Sequence, residues 1–104
     1  MGVHGSDHSR FKKALAAGHL TAALIMARGL RHIALADALE ICRLMADAGD
    51  PRFPRAAGRW LERFSRETGA GLTEIQLAAA ALGMLWESPD SELAGRTLAE
   101  LIRS

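Results

Sequence analysis

The sequence predicts an all-α fold, either a compact bundle or a short array of five to six antiparallel helices. Alanine- and leucine-rich stretches of helical length fill most of the chain, and they end at glycines or restart at Asp-Pro and Ser-Pro pairs. No stretch alternates apolar and polar residues as a strand would, and Val3 is the only valine. Short connections between such helices favour antiparallel neighbours.

Capping residues, prolines and glycines along the chain set the expected helix limits. The predicted helices cover residues 9–17, 20–28, 35–48, 51–68, 73–87 and 89–102. Asp7 or Ser9 is expected to cap the first helix, and Gly29 fits the left-handed residue that follows the second. Asp50-Pro51 and Ser88-Pro89 are start signals, because the polar side chain caps free N–H groups and proline is tolerated in a first helical turn. Thr73 and Gln76 form a capping-box pattern for the fifth helix.

Length and composition indicate one domain in a reducing compartment. The 104 residues are 49% apolar and 24% charged, as in an ordinary globular protein. We expect a disordered segment at residues 1–8 and a single helical domain at 9–104. Cys42 is the only cysteine, so an intrachain disulfide is impossible, and no apolar signal segment opens the chain. These features favour a cytoplasmic protein, and the excess of arginine over lysine suggests a GC-rich bacterial coding sequence.

The stretch from Phe11 to Phe64 contains Ala-Ala-Gly-His-Leu, at 16–20, just before an alanine- and leucine-rich helix. In this stretch the chain resembles tetratricopeptide-type runs of helical hairpins, although their fixed period is missing. The resemblance covers about half the chain. It implies a protein-binding scaffold without enzymatic activity.

The fourth predicted helix carries a stripe of arginines opposite its apolar side. The stripe consists of Arg52, Arg55, Arg59, Arg63 and Arg66. At about 100° per residue these positions share one face, and guanidinium groups bind phosphates and carboxylates through paired hydrogen bonds. The stripe is therefore a candidate face for an anionic or protein partner. The alternative is a solvated helix face with no partner, and Glu62 beside it weakens the positive charge.

Charge is unevenly placed between the two parts of the chain. Residues 1–66 carry eleven basic and six acidic side chains, whereas residues 67–104 carry two basic and six acidic ones. This asymmetry indicates either an anionic partner for the first part, protein or nucleic acid, or head-to-tail pairing of charged surfaces. A helix-turn-helix reading of the third and fourth helices is disfavoured, because the first turn that would contact bases holds two prolines and Phe53.

Two uncharged helical stretches supply more apolar surface than a small bundle can hide. Residues 22–27 and 77–86 contain no charged residue. A helix that is apolar on all sides must be enclosed, so the second stretch is either the centre of the bundle or a seam between two copies. The candidate apolar interface is Leu24, Leu77, Leu82, Leu85 and Trp86. A two-fold homodimer is the commonest way to cover such a surface. The alternative is that the first, third, fourth and sixth helices cover both stretches within one chain.

No catalytic, cofactor or metal site is predicted. His4 and His8 are four residues apart, but no second pair of ligands follows at a fixed spacing. Cys42 sits among apolar neighbours without a base nearby, and the chain has neither a phosphate-binding loop nor a hydrolase motif. The sequence therefore favours a non-enzymatic protein–protein interaction module that self-associates. The alternative is a nucleic-acid-associated regulator that uses the arginines.

Overall fold

The computed structural model describes the backbone of residues 3–103 and the side chains of residues 7–103. Six α-helices form the fold: α1 Val3–Ala16, α2 Leu20–Ala27, α3 Leu35–Asp47, α4 Phe53–Thr68, α5 Leu72–Glu87 and α6 Glu92–Arg103. The described part of the chain contains no strand. The prediction of an all-α fold with five to six helices is confirmed.

Helix α3 is the centre of the molecule, because it packs against each of the other five helices. Its sides are nearly all covered, and Leu39, Cys42 and Met45 are buried. The largest fully buried side chains come from the surrounding helices: Phe11, Trp60, Phe64, Leu85 and Leu98. Helix α5 was one candidate for the central position, and the structure instead places it towards the edge, against α3, α4 and α6.

Consecutive helices make the closest pairs, α1 with α2, α3 with α4, and α5 with α6. Helices α4 and α5 are also neighbours, and they run antiparallel. Phe53 at the start of α4 stacks on Trp86 at the end of α5, with ring centroids 5.1 Å apart and planes 2° apart. This contact fixes the register of the two helices, so later residues of α4 lie beside earlier residues of α5.

Helix α1 begins at Val3, earlier than the expected start at Asp7 or Ser9. The segment predicted to be disordered, residues 1–8, includes Met1 and Gly2, which lie outside the described residues.

The two helices expected to start at prolines begin two and three residues later. Helices α4 and α6 begin at Phe53 and Glu92, not at residues 51 and 89. The Asp50 carboxylate accepts a hydrogen bond from the Arg52 backbone N–H at 2.9 Å, which forms a turn before the helix. At α6 the cap is Ser91, whose hydroxyl oxygen accepts from the Ala94 N–H at 3.2 Å. At both Asp50-Pro51 and Ser88-Pro89, the chain therefore forms a turn, and the helix begins after that turn.

Two further local predictions are wrong. Thr73 does not cap α5, because the helix starts one residue earlier and Gly71 occupies the cap position. Gly29 is not left-handed. Helix α2 instead ends in tight turns in which Gly29 donates its N–H to the Met26 carbonyl at 3.1 Å.

The α2–α3 connector, residues 28–34, is held by side chains from α4. The Trp60 indole Nε1–H donates to the Leu35 carbonyl oxygen at 2.9 Å, and the Arg63 guanidinium donates to the Ile33 carbonyl oxygen at 2.8 Å. The Arg63 bond satisfies a connector carbonyl that lies outside the helices, and the Trp60 bond adds a donor to the first carbonyl of α3. They also fix α4 along the start of α3.

Candidate interaction surface

The arginine stripe of α4 divides into paired and unpaired members. Arg52 is paired with Asp50, whose carboxylate lies 2.6 Å from the guanidinium, and these hydrogen bonds lower the pKa of Asp50 to about 2. Arg63 binds Ile33 as described and also pairs with Glu67 at 2.7 Å, which holds the pKa of that carboxyl below its usual range. These two arginines therefore serve the fold.

Arg55, Arg59 and Arg66 are exposed, and none of them makes an ion pair within residues 7–103. Arg59 lies on the α3 side of α4, where it lines a shallow cavity with Cys42 and Trp60. Three arginines of α4, and not the five of the stripe, therefore remain available to an anionic partner.

Burial beside that cavity explains why the Cys42 thiol is expected to be unreactive. Cys42 is buried, and burial raises its pKa to about 11. Its thiol is protonated at neutral pH and is a poor nucleophile.

The five residues of the predicted apolar interface do not form one surface. Leu82 and Leu85 are buried in the core, whereas Leu77 and Trp86 are 49% and 38% exposed. Leu24 is half-buried on α2, which packs against α1 and α3. Only the two exposed residues of α5 are available to a partner.

An apolar groove runs between α4 and α5. The α4–α5 groove has a volume of about 240 Å³. Its lining is Phe53, Pro54, Ala57, Gly58, Leu61, Ala79, Leu82, Gly83 and Trp86. None of these side chains is charged. Pockets that enclose drug-sized ligands usually occupy about 300–1,000 Å³, so this open groove suits side chains or a helix of another polypeptide better.

Two glycines of the groove have no steric reason to be glycine within this chain. A Cβ atom added at Gly58 or Gly83 would meet no atom within 4 Å, and neither residue has a positive φ. Glycine in a helix interior is about 1 kcal/mol less favourable than alanine. Close approach of another backbone is one arrangement that requires such positions to lack side chains.

Large apolar side chains that the sequence reasoning did not single out are exposed around α5. Leu72, the first residue of α5, is 74% exposed, and Leu93 of α6 is 62% exposed. Leu77 and Leu93 share a shallow cleft between α5 and α6 with Arg96 and Glu100. A glycine within an otherwise apolar helical pattern, as at Gly83, is the sequence signal that could have located the groove.

Neither a metal site nor a membrane-spanning helix is found in the described part of the chain. Within residues 7–103, no group of three or more His, Cys, Asp or Glu side chains is placed to hold a metal ion. None of the described helices is long and apolar enough to cross a membrane. No protein-family model, curated protein or solved structure matches this chain.

Proposed function

We propose that this chain is a non-enzymatic protein–protein interaction module that self-associates. The observation that carries the proposal is the apolar surface that α5 exposes. Between Glu74 and Glu87 this helix has no charged residue, and Leu77, Met84 and Trp86 are exposed. Leu77 and Met84 lie on the α6 side of the helix and Trp86 lies on the α4 side, so apolar surface is exposed on two sides of α5. Exposed apolar patches are typical of interfaces. The three helical hairpins suit a scaffold of the kind that the resemblance to tetratricopeptide repeats implies.

Sedimentation equilibrium over a wide concentration range tests self-association directly. We expect the weight-average mass to rise from that of one chain towards that of two. Trp86→Gln should shift this curve to higher concentrations, because it removes apolar area at the mouth of the groove. Ala99→Gln, on the exposed side of α6, is the control. A monomeric wild-type chain at high micromolar concentration would contradict the proposal.

A second candidate function is nucleic-acid binding by the unpaired arginines of α4. Arg55, Arg59 and Arg66 are exposed and lack ion-pair partners in the described part of the chain, which favours this candidate. Each phosphate contact adds about 0.9 to the slope of log affinity against log salt concentration.

Fluorescence anisotropy of a labelled mixed-sequence duplex measures that slope. Replacing the three arginines with alanine should lower the slope if they contact phosphates, while Arg31→Ala, outside α4, is the control. Arg63→Ala is unsuitable, because this arginine holds the α2–α3 connector. Unchanged binding in the triple variant would exclude this role for the arginines.

A further inference from the structure

We infer that two copies of this chain exchange their α1–α2 hairpins, so that the hairpin of each copy packs on α3 of the other. The exchanged form reuses the contacts that a single chain makes with itself, and two such contacts related by a two-fold axis give a closed dimer. This inference goes beyond the proposed function, because it does not use the apolar surface of α5.

The α1–α2 hairpin is joined to the rest of the fold mainly through α3. Helices α1 and α2 make their closest contacts with each other and lighter contacts with α3. The hairpin supplies Phe11, Ala14, Leu15 and Ala23 to the core. The other four of the largest fully buried side chains belong to α4, α5 and α6. Helices α3 to α6 therefore keep most of their core when the hairpin moves as a unit.

The connector between α2 and α3 has one free stretch, Arg31 and His32. Before it, Leu30 donates its N–H to a carbonyl at the end of α2 at 3.1 Å, so Leu30 moves with the hairpin. After it, Ile33 is held to α4 by the arginine hydrogen bond described above. Arg31 and His32 are exposed and make no backbone–backbone hydrogen bond in the described part of the chain. A change of φ and ψ at these two residues can therefore turn the hairpin away from its own α3 while the bonds to α4 stay in place.

The hairpin covers Asp37, the one buried charged residue within residues 7–103. The Asp37 carboxylate accepts a hydrogen bond from Lys12 Nζ of α1 at 2.6 Å, and its side chain has no other hydrogen-bond partner in that part of the chain. A chain whose hairpin has turned away loses this cation. It also exposes Phe11, which is fully buried when the hairpin is in place.

The hairpin of a second copy restores both contacts at once. It carries the same lysine and phenylalanine at the spacing that α3 accommodates. An unrelated apolar segment would cover α3 but leave the Asp37 carboxylate without its cation, which is costly for a buried charge. At high protein concentration an open chain meets a matching hairpin more often, so the exchanged dimer accumulates by mass action.

Charge reversal at the ion pair tests the exchange. Lys12→Glu brings two carboxylates together and Asp37→Lys brings two ammonium groups together, whether the chain is closed on itself or exchanged with an identical copy. An equal mixture of the two variants is unfolded in urea and refolded at high micromolar concentration. Only the exchanged heterodimer then has opposite charges at both pairs. Native mass spectrometry should therefore show an excess of heterodimer over either homodimer of about tenfold.

The double variant, Lys12→Glu with Asp37→Lys in one chain, is the control, and it should behave as the wild-type chain does. Pairing through α5 alone ignores the charges at residues 12 and 37 and would combine the two single variants at random. Random combination, or the absence of heterodimer, would overturn the exchange. Adding Trp86→Gln to both single variants should leave the heterodimer excess unchanged.

The length of the connector gives a second test that keeps the native charges. Deleting Arg31 and His32 joins Leu30 directly to Ile33, with Cα atoms about 3.8 Å apart, so the hairpin should no longer reach its own α3. This chain should sediment as a dimer at concentrations where the wild-type chain is a monomer. Inserting Gly-Ser-Gly-Ser between Arg31 and His32 gives the hairpin more room to return, and it should lower the dimer fraction. A deletion variant that is a folded monomer would overturn the exchange.

The outcomes separate this inference from the proposed function. If the wild-type chain self-associates and Trp86→Gln weakens that association, but the refolded mixture has no excess of heterodimer, the exchange is refuted and the α5 interface stands. If the mixture forms the heterodimer and Trp86→Gln leaves self-association unchanged, the exchange stands and the α5 interface is refuted.

Discussion

Replacing Gly83 with alanine should stabilise the folded monomer, although the residue lies in the candidate interface. Gly83 is an interior residue of α5, has ordinary helical φ, and has open space where a Cβ would project. Alanine is favoured over glycine in a helix interior by about 1 kcal/mol, and no clash inside the chain opposes this gain. For a domain of this size, that gain corresponds to a rise in the melting temperature of about 4–8 °C.

The assay is urea unfolding followed by far-ultraviolet circular dichroism, at concentrations low enough for the chain to be monomeric. Gly95→Ala is the matched control, since it also lies inside a helix. A Cβ at Gly95 would lie 2.9 Å from Nη1 of Arg43, so the guanidinium must move and the gain should be smaller. An unchanged or lowered free energy of unfolding for Gly83→Ala would refute the claim that nothing within the chain requires glycine there.

Three further predictions concern the fold. Trp60→Phe leaves the Leu35 carbonyl without its side-chain donor and creates a small void, and we expect a loss of about 1–3 kcal/mol in urea unfolding. The pKa of Asp50 is lowered in the folded chain, so its contribution to stability is complete above about pH 4. That contribution should disappear as the pH falls towards 2, and Arg52→Gln should flatten the profile measured by acid titration. Cys42 should react with a thiol reagent only as fast as the chain opens, and rapid labelling in native buffer would contradict its burial.

The fold class and the approximate positions of all six helices could be predicted from the sequence, because alanine- and leucine-rich stretches and glycine stops act locally. Gly49 and Gly69, at the ends of α3 and α4, have the positive φ that such stops require. Helix starts were less predictable. Asp50 and Ser88 precede prolines that form a turn first, and the geometry of that turn depends on hydrogen bonds that composition does not specify.

The candidate surface could be predicted only in part. The arginine spacing located one face of α4, but it did not show that Arg63 is committed to the Ile33 carbonyl thirty residues earlier. The uncharged stretch of α5 indicated an interface. However, whether Leu85 or Leu77 faces outward depends on which sides α3, α4 and α6 cover. Such choices are set by tertiary packing, and one helical pattern is compatible with several of them.

The hydrogen bonds that Arg63 and Trp60 donate to the end of the α2–α3 connector and to the first residue of α3 have a consequence for synthesis on the ribosome. The acceptors at Leu35 and Ile33 leave the ribosome 25 and 30 residues before their donors. The amino-terminal hairpin can form early. The hydrogen bonds at its junction with α3 cannot form until the second half of α4 has been made. A nascent chain arrested before residue 60 should therefore stay open to protease at residues 28–34, and extension beyond residue 63 should protect that segment.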